Sequence, residues 1–357
     1  MITFPELSGV DINILLLIFI GFGAGILSGF AGVGGAFIVT PALIILGFPA
    51  NLAVGTGLAW VMGSSIVGAF RHRKLGNVDV KLGLVILVAT MSGMEVGVRF
   101  LNLTRDAGLV DEAVLSIAVC VLLIIGSYTM WESITRKRQL DRMLEEGQEL
   151  PPPMSASSIS QKLQSISIPP KLYFTRSGIS ISLWIILAIG FFVGLLAGIM
   201  GVGGGFVMVP ALVYVVGLPS LMAVGTDLFQ VIFVAAYGCI RHTMSGNVII
   251  FAAFIMVIAS SIGVQFGALV TRYVRGVSIR IILGITILIF AVGTILKLLG
   301  VLLGEVSALF DIASMIVTFS GLGLTLIMIL GLFIASLRYQ RGRQIPDWVK
   351  SLVSRTP

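Results

Sequence analysis

The sequence predicts an all-α polytopic membrane protein with two inverted-topology repeats of about five helical segments each and one extra C-terminal transmembrane helix. Three observations carry this prediction. Of 357 residues, 57% are hydrophobic and only 11% charged, against roughly 25% charged in soluble domains. The apolar residues form long runs, such as 115–125, 281–292 and 324–337, and about 20 such residues match the hydrocarbon core of a bilayer. The chain is also internally duplicated. A soluble enzyme is excluded, because this composition would expose more apolar surface than water tolerates.

The duplication is read residue by residue. Residues 21–58 (GFGAGILSGFAGVGGAFIVTPALIILGFPANLAVGTGL) align with residues 190–228 (GFFVGLLAGIMGVGGGFVMVPALVYVVGLPSLMAVGTDL). With one residue inserted before Gly217, 20 of 38 positions are identical. The offset is 169 before the insertion and 170 after it. The match continues as Arg71-His72 with Arg241-His242, Gly76-Asn77-Val78 with Gly246-Asn247-Val248, and Gly93/Gly97 with Gly263/Gly267.

Along the chain, the N-terminal repeat (1–131) has apolar segments near 12–30, 37–48, 52–70, 82–103 and 108–131. Residues 132–178 are charged and then Pro- and Ser-rich, which predicts a solvated linker that begins with a short helix and ends in disorder. The C-terminal repeat (179–300) has its segments near 180–199, 206–217, 221–240, 248–270 and 279–299. Residues 301–357 add a span near 310–337 and a basic tail expected at the membrane surface. Met1–Asn13 carries Glu6 and Asp11 but no Lys or Arg, so it does not read as a cleavable signal. Cys120 and Cys239 sit in apolar segments and are expected to be buried reduced thiols rather than disulfide or metal ligands.

The net charge of +7 reads as a topology signal rather than as a nucleic-acid footprint. Basic residues in short loops stay cytoplasmic. The linker holds seven Lys/Arg and the tail five, while the N-terminal segment has none. The N-terminus is therefore expected outside, and the linker and C-terminus in the cytoplasm, in a multi-pass protein of the cell membrane. Each repeat then makes an odd number of crossings: five if the short segments 37–48 and 206–217 span, three if they are re-entrant. Either count inverts the second repeat. Loop 71–81, with Arg71, Arg73, Lys74 and Lys81, falls inside, as does 271–280 with Arg272, Arg275 and Arg280. The loop after 240 has only Arg241 and falls outside. Inverted repeats are a signature of secondary transporters.

The twin glycine breaks, Gly32-Val33-Gly34-Gly35 and Gly201-Val202-Gly203-Gly204-Gly205, are the most informative motif. Each ends an apolar segment and opens a shorter one containing Pro41 or Pro210. Irregular backbone at membrane depth survives only where protein or a water-filled cavity satisfies it. A helix opening after such a break aims free N–H groups and a positive dipole end into the gap. Gly34, Gly35 and Ala36 with Gly203, Gly204 and Gly205 are thus the predicted site for a small anion. The competing reading is that these glycines only permit tight turns. A nucleotide loop is ruled out by the missing Lys-Ser/Thr and βαβ context.

Thr56 and Thr226, in the repeated Ala-Val-Gly-Thr motif, either donate to the anion or bond back to their own helix. Glycines spaced by four, at 21/25/29, 190/194/198, 93/97 and 263/267, read as close helix-packing seams. Arg71, His72, Arg241 and His242 stand at matching span ends, where they gather anions, titrate, or anchor at the interface. Glu95 and Asp227 are ionisable groups deep in spans, which default to functional candidates. Their repeat partners, Gln265 and Gly57, are uncharged, which suggests a coupling role. Gln230, one turn on, would complete the Asp227 patch, while Arg99 offers Glu95 a local ion pair. No nucleophile or metal constellation is present, so the expectation is a non-enzyme without cofactor. The expected partners are a small anionic solute and the bilayer, with a homodimer left open and no nucleic acid.

These motifs resemble the TauE/SafE family of sulfite exporter-like anion permeases, grouped with toluenesulfonate uptake permeases. The residues that carry the resemblance are GFAGVGGAFIVTPAL and GIMGVGGGFVMVPAL, then AVGTGL and AVGTDL, then RHRKLGNVD and RHTMSGNVI. It covers roughly 12–131 and 180–299. The resemblance implies outward transport of small sulfur-containing anions such as sulfite, sulfonates or sulfoacetate. The alternatives are proton- or sodium-coupled uptake of organic anions, or an anion channel.

Overall fold

The computed structural model describes residues 2–3, 11–31, 35–146, 168–304 and 307–341, together with 344, 346, 349, 352 and 353. The first repeat contains α1 (Ile14–Ala31), α2 (Ala36–Ile45), α3 (Ala50–Lys74), α4 (Val80–Asp106) and α5 (Val110–Glu145). The second contains α6 (Leu183–Met200), α7 (Gly205–Ala211, continued by a π turn over Leu212–Val216), α8 (Ser220–Met244), α9 (Ile250–Val270) and α10 (Gly276–Leu303). The last helix is α11 (Ser307–Gln340). Nine helices among the described residues, all but α2 and α7, are long and apolar enough to cross a membrane. At 1.5 Å per residue the 10 residues of α2 reach only about 15 Å, half of a hydrocarbon core.

Glycine spacing decides how these helices pack. A Cβ on Gly25 of α1 would stand 2.6 Å from the Ser260 carbonyl oxygen of α9, and Gly21 and Gly29 meet Met256 and Val264 in the same way. The equivalent glycines of α6 meet α4: Gly194 abuts Thr90, and a Cβ on Gly198 would lie 2.6 Å from the Met94 carbonyl oxygen. The backbones touch because no side chain stands between them, the form that small residues give helix interfaces in membranes.

The pairing is reciprocal. Helix α1 packs on α9 as α6 packs on α4; α3 packs on α9 as α8 packs on α4; α3 and α8 pair with each other, as do α5 and α10. This is what a two-fold relation between the repeats requires. Directions follow from the contacts. Positions 21, 25 and 29 meet 256, 260 and 264, so α1 and α9 run parallel. Gly68 meets Leu228 while Gly238 meets Leu58, so the equivalent helices α3 and α8 run antiparallel. These two helices form the centre of the fold, with Trp60, Phe37, Phe206 and Phe290 fully buried around them.

Three features depart from the sequence expectations. First, α5 continues without interruption to Glu145, so the helix that begins the linker is an extension of the fifth span. Second, the end of the linker is ordered. Strands β3 (Lys171–Phe174) and β4 (Ile179–Ser182) form an antiparallel hairpin turned at Gly178, φ 67°. Alternation buries Phe174, Ile179 and Ile181, and Lys81 Nζ donates to the Tyr173 carbonyl at 2.8 Å. A shorter antiparallel pairing of β1 (Ile2–Thr3) with β2 (Asp11–Ile12) precedes α1, so paired strands precede the first helix of each repeat. Third, Cys120 is exposed and Cys239 only half-buried, because both lie toward outer helix faces; both are free thiols.

The residue inserted in the second repeat is visible as geometry. Helix α2 is α-helical to Ile45, and Phe48 N donates to Leu43 O at 3.0 Å. At the equivalent place α7 opens into the π turn, and Leu218 N donates to Leu212 O at 2.9 Å. A π turn accommodates one extra residue inside a helix.

Candidate functional site

The two short helices begin inside the fold. Gly35 precedes α2 with φ 66° and Gly204 precedes α7 with φ 85°, left-handed values that favour glycine. A Cβ on Gly35 would lie 2.6 Å from the Ala24 carbonyl oxygen and 2.7 Å from Cη2 of Trp60. Helix α2 thus starts midway along α1 and α3, not at their ends. Gly204 sits at the equivalent level, against Val193 and Ala197 of α6. Phe37 and Phe206, in the first turn of each short helix, have ring centroids 5.7 Å apart, so the two starts face one another.

Neither start carries a side-chain cap, and both are buried. The first N–H groups of a helix have no partner within the helix, and the aligned peptide dipoles place about half a positive charge there. The arrangement offers neutral donors converging from two repeats, which suits a small anion.

Of the predicted anion-site residues, Gly35 and Ala36 stand at the start of α2 and Gly203, Gly204 and Gly205 at the start of α7, the two starts joined by the Phe37–Phe206 ring contact. Gly203 packs between Val61 of α3 and Val231 of α8. Gly34 lies outside the described residues. Asp227 and Gln230 are on α8, within one turn of Val231, and both are fully buried. Gln230 Nε2 donates to Asp227 Oδ1 at 3.0 Å, and Asp227 Oδ2 and Gln230 Oε1 have no partner among the described residues. Gln230 holds the place that Trp60 holds on α3, where Trp60 Nε1 donates to Met256 O at 3.2 Å.

The hydroxyls of Thr56 and Thr226 reach across to the other repeat rather than back to their own helices. Thr56 Oγ1 accepts the Ile249 amide at 3.0 Å, and Thr226 Oγ1 accepts the Asp79 amide at 2.9 Å. Each hydroxyl therefore ties its repeat to the start of the other repeat's fourth helix. His72 and His242 are fully buried rather than exposed at the mouths. The His72 ring nitrogen Nε2 lies 3.3 Å from the Gly29 carbonyl oxygen, and His242 faces the equivalent Gly198.

The charged candidates separate sharply. Glu95 Oε2 accepts from Arg241 Nε at 2.8 Å and from the Tyr237 hydroxyl at 2.7 Å. Its Oε1 accepts from Arg241 Nη2 at 3.0 Å and Arg99 Nε at 2.9 Å. Arg241 is thus held bidentately across the repeats. Arg71 makes no side-chain hydrogen bond or ion pair among the described residues, and its Nε is buried.

A family model for the sulfite exporter TauE/SafE matches residues 17–294, most of both repeats and the linker between them. The chain belongs to the sulfite exporter TauE/SafE family. It is 24% identical over 285 residues to the probable membrane transporter protein YunE of Bacillus subtilis, covering 78% of this chain and 95% of that protein. It is 27% identical over 204 residues to the probable membrane transporter protein MJ0441 of Methanocaldococcus jannaschii, covering 55% of this chain and 60% of that one. It is also 25% identical over 200 residues to sulfite exporter TauE/SafE family protein 3 of Arabidopsis thaliana, covering 49% and 40%. No solved structure matches the chain. Family and helices together identify a multi-pass membrane transporter, whose partners are a small solute and the bilayer.

Several residues at the site escaped the sequence reading. Phe37 and Phe206 recur at one position of the repeat, and that identity was the available signal. Tyr237 stands one turn before Arg241, a weaker one. Thr40, whose Oγ1 packs on Gly57 and has no hydrogen-bond partner among the described residues, breaks the repeat pattern because Val209 replaces it. Nothing in the sequence marked it.

Proposed function

We propose that the chain is a secondary transporter that carries small sulfur-containing anions, such as sulfite, sulfonate or sulfoacetate, outward across the cytoplasmic membrane. Two repeats inserted in opposite orientation alternate access to a central site. The observation that carries this reading is the pair of buried, uncapped helix starts meeting at Phe37 and Phe206. The antiparallel run of α3 and α8 supports the inverted insertion. Two broken helices at the interface of inverted repeats are a recurring transporter binding site. The family supports the substrate class through its sulfite exporter description. A negative interior favours outward movement of one negative charge by about 2.3 kcal/mol per 100 mV, so export needs no coupling ion.

The test is counterflow in proteoliposomes. Vesicles preloaded with unlabelled sulfite should accumulate labelled sulfite transiently and saturably. Flux that never saturates and shows no counterflow indicates a channel, and counterflow confined to carboxylates overturns the sulfur-anion assignment.

A second reading, cation-coupled uptake, is favoured by one observation. Asp227 Oδ2 and Gln230 Oε1 are two buried acceptors without donors among the described residues, a pairing that a proton or sodium ion would satisfy. Asp227→Asn should then abolish the dependence of flux on pH or sodium while leaving anion exchange intact. A flux profile unchanged by this substitution removes the coupling role.

A further inference from the structure

We propose that Arg71 is a capture site for the transported anion, which takes there the place that the Glu95 carboxylate takes on Arg241. The inference deepens the anion-transport reading and rests on it.

The two arginines are equivalent under the repeat, and the structure aligns their surroundings. Gly238, three residues before Arg241, packs on Met94, next to Glu95. Gly68, three residues before Arg71, packs on Leu228 and on Val264, next to Gln265. Helix α3 therefore lies on α9 in the register in which α8 lies on α4. One arginine meets a position occupied by glutamate; the other meets a position occupied by a neutral amide.

The filled half defines what the arginine binds. Arg241 Nε and Nη2 reach the two oxygens of Glu95 at 2.8 and 3.0 Å, and the Tyr237 hydroxyl adds a donor at 2.7 Å. This is the planar fork on a two-oxygen anion for which guanidinium is suited. In the other half the fork has no carboxylate, and the Arg71 guanidinium has no hydrogen-bonding or ionic partner among the described residues. Arg73 and Lys74 follow it and are exposed, which adds positive potential to the same mouth.

A second asymmetry has the same sense. On the Arg241 side, Arg105 Nη1 donates to Asn247 Oδ1 and Ser245 O, both at 3.0 Å, and Asn102 Nδ2 reaches Ser245 Oγ at 3.3 Å. The equivalent of Arg105 is Arg275, whose Nε is turned to the Val353 carbonyl at 3.1 Å. The loop after Arg241 is thus held by Arg105 and Asn102, and the loop after Arg71 by the linker hairpin, where Arg176 Nη2 reaches the Gly76 carbonyl at 3.4 Å; the Arg71 guanidinium itself is left for an oxyanion of carboxylate-like geometry. Sulfite, sulfonates and carboxylates all present two such oxygens.

The experiment exchanges the two positions. Sulfite and acetate are titrated separately onto the purified protein in nanodiscs and binding is read by calorimetry. Gln265→Glu should supply Arg71 with an internal carboxylate and weaken sulfite binding by about tenfold or more, the scale of a charge-assisted pair. Arg71→Gln should weaken it similarly, and Arg71→Lys, which keeps the charge but loses the fork, should fall between. Glu95→Gln should free Arg241 and add a second sulfite site. Glutamate is accommodated at the equivalent position of the other repeat, so Gln265→Glu should keep its melting temperature; should it not fold, the two Arg71 variants decide. Sulfite binding unchanged in Gln265→Glu and Arg71→Gln, with transport intact, overturns the capture site alone. Wild-type protein that neither binds nor exchanges either anion overturns the transport reading with it.

Discussion

Thr226 Oγ1 holds the Asp79 amide, and Asp79 in turn caps α4, with Oδ1 accepting from Leu82 N at 3.1 Å and Oδ2 from the Ser177 hydroxyl at 2.7 Å. All three side chains are buried. Thr226→Val keeps the shape and removes the acceptor, so the Asp79 N–H loses its partner at a cost of about 1–3 kcal/mol. A lower melting temperature in detergent, restored by Thr226→Ser, is the expected result. An unchanged melt would mean that water replaces the hydroxyl. The sequence marked these threonines by recurrence, but not their partners. Ile249 is 193 residues from Thr56, and no local pattern encodes a contact at that range. The Glu95 network divides in the same way: Arg99, one helical turn away, was legible, whereas Arg241 was not.

At the scale of the element, the glycine seams were legible because a spacing of four already puts the residues on one helix face. Their partners follow only once the helices are packed. Gly194→Val should disrupt the α4–α6 seam, since its Cβ would collide with the Thr90 carbonyl; Gly331→Ala on α11, with nothing within 4 Å, is the control. Yield and monodispersity on gel filtration separate the two, and equal behaviour would contradict the packing. The broken helices were also legible, but the π turn was not. An insertion gives a position for an extra residue and leaves open whether a loop or the helix absorbs it. The hairpin before α6 was missed because its strands are only four residues each, too short to stand out from a polar linker.

For the whole molecule, membrane orientation is the decisive measurement. Lys74 and Thr243 are both exposed and end the equivalent helices α3 and α8. Single cysteines at these positions, with Cys120 and Cys239 replaced by alanine, should react with a membrane-impermeant maleimide from opposite sides, Thr243→Cys from outside. Labelling from one side would refute the inverted insertion. Charge placement is a property of segments rather than of contacts, so the sequence predicts an orientation, and this labelling tests it. Which arginine stands unpaired was not legible, since that depends on the face that each helix turns to its neighbour.

The reciprocal packing of α1 on α9 also governs how the molecule is made. Gly21 waits for Met256, 235 residues later in the chain. At about 5–20 residues per second of synthesis, the first helix stays roughly 10–50 s in the bilayer with its small-residue groove open. Helix α6 finds α4 already in place. The first repeat therefore emerges as an incomplete structure that only the arrival of the second can close, and a ribosome that stalls inside α8 leaves an orphan for membrane quality control.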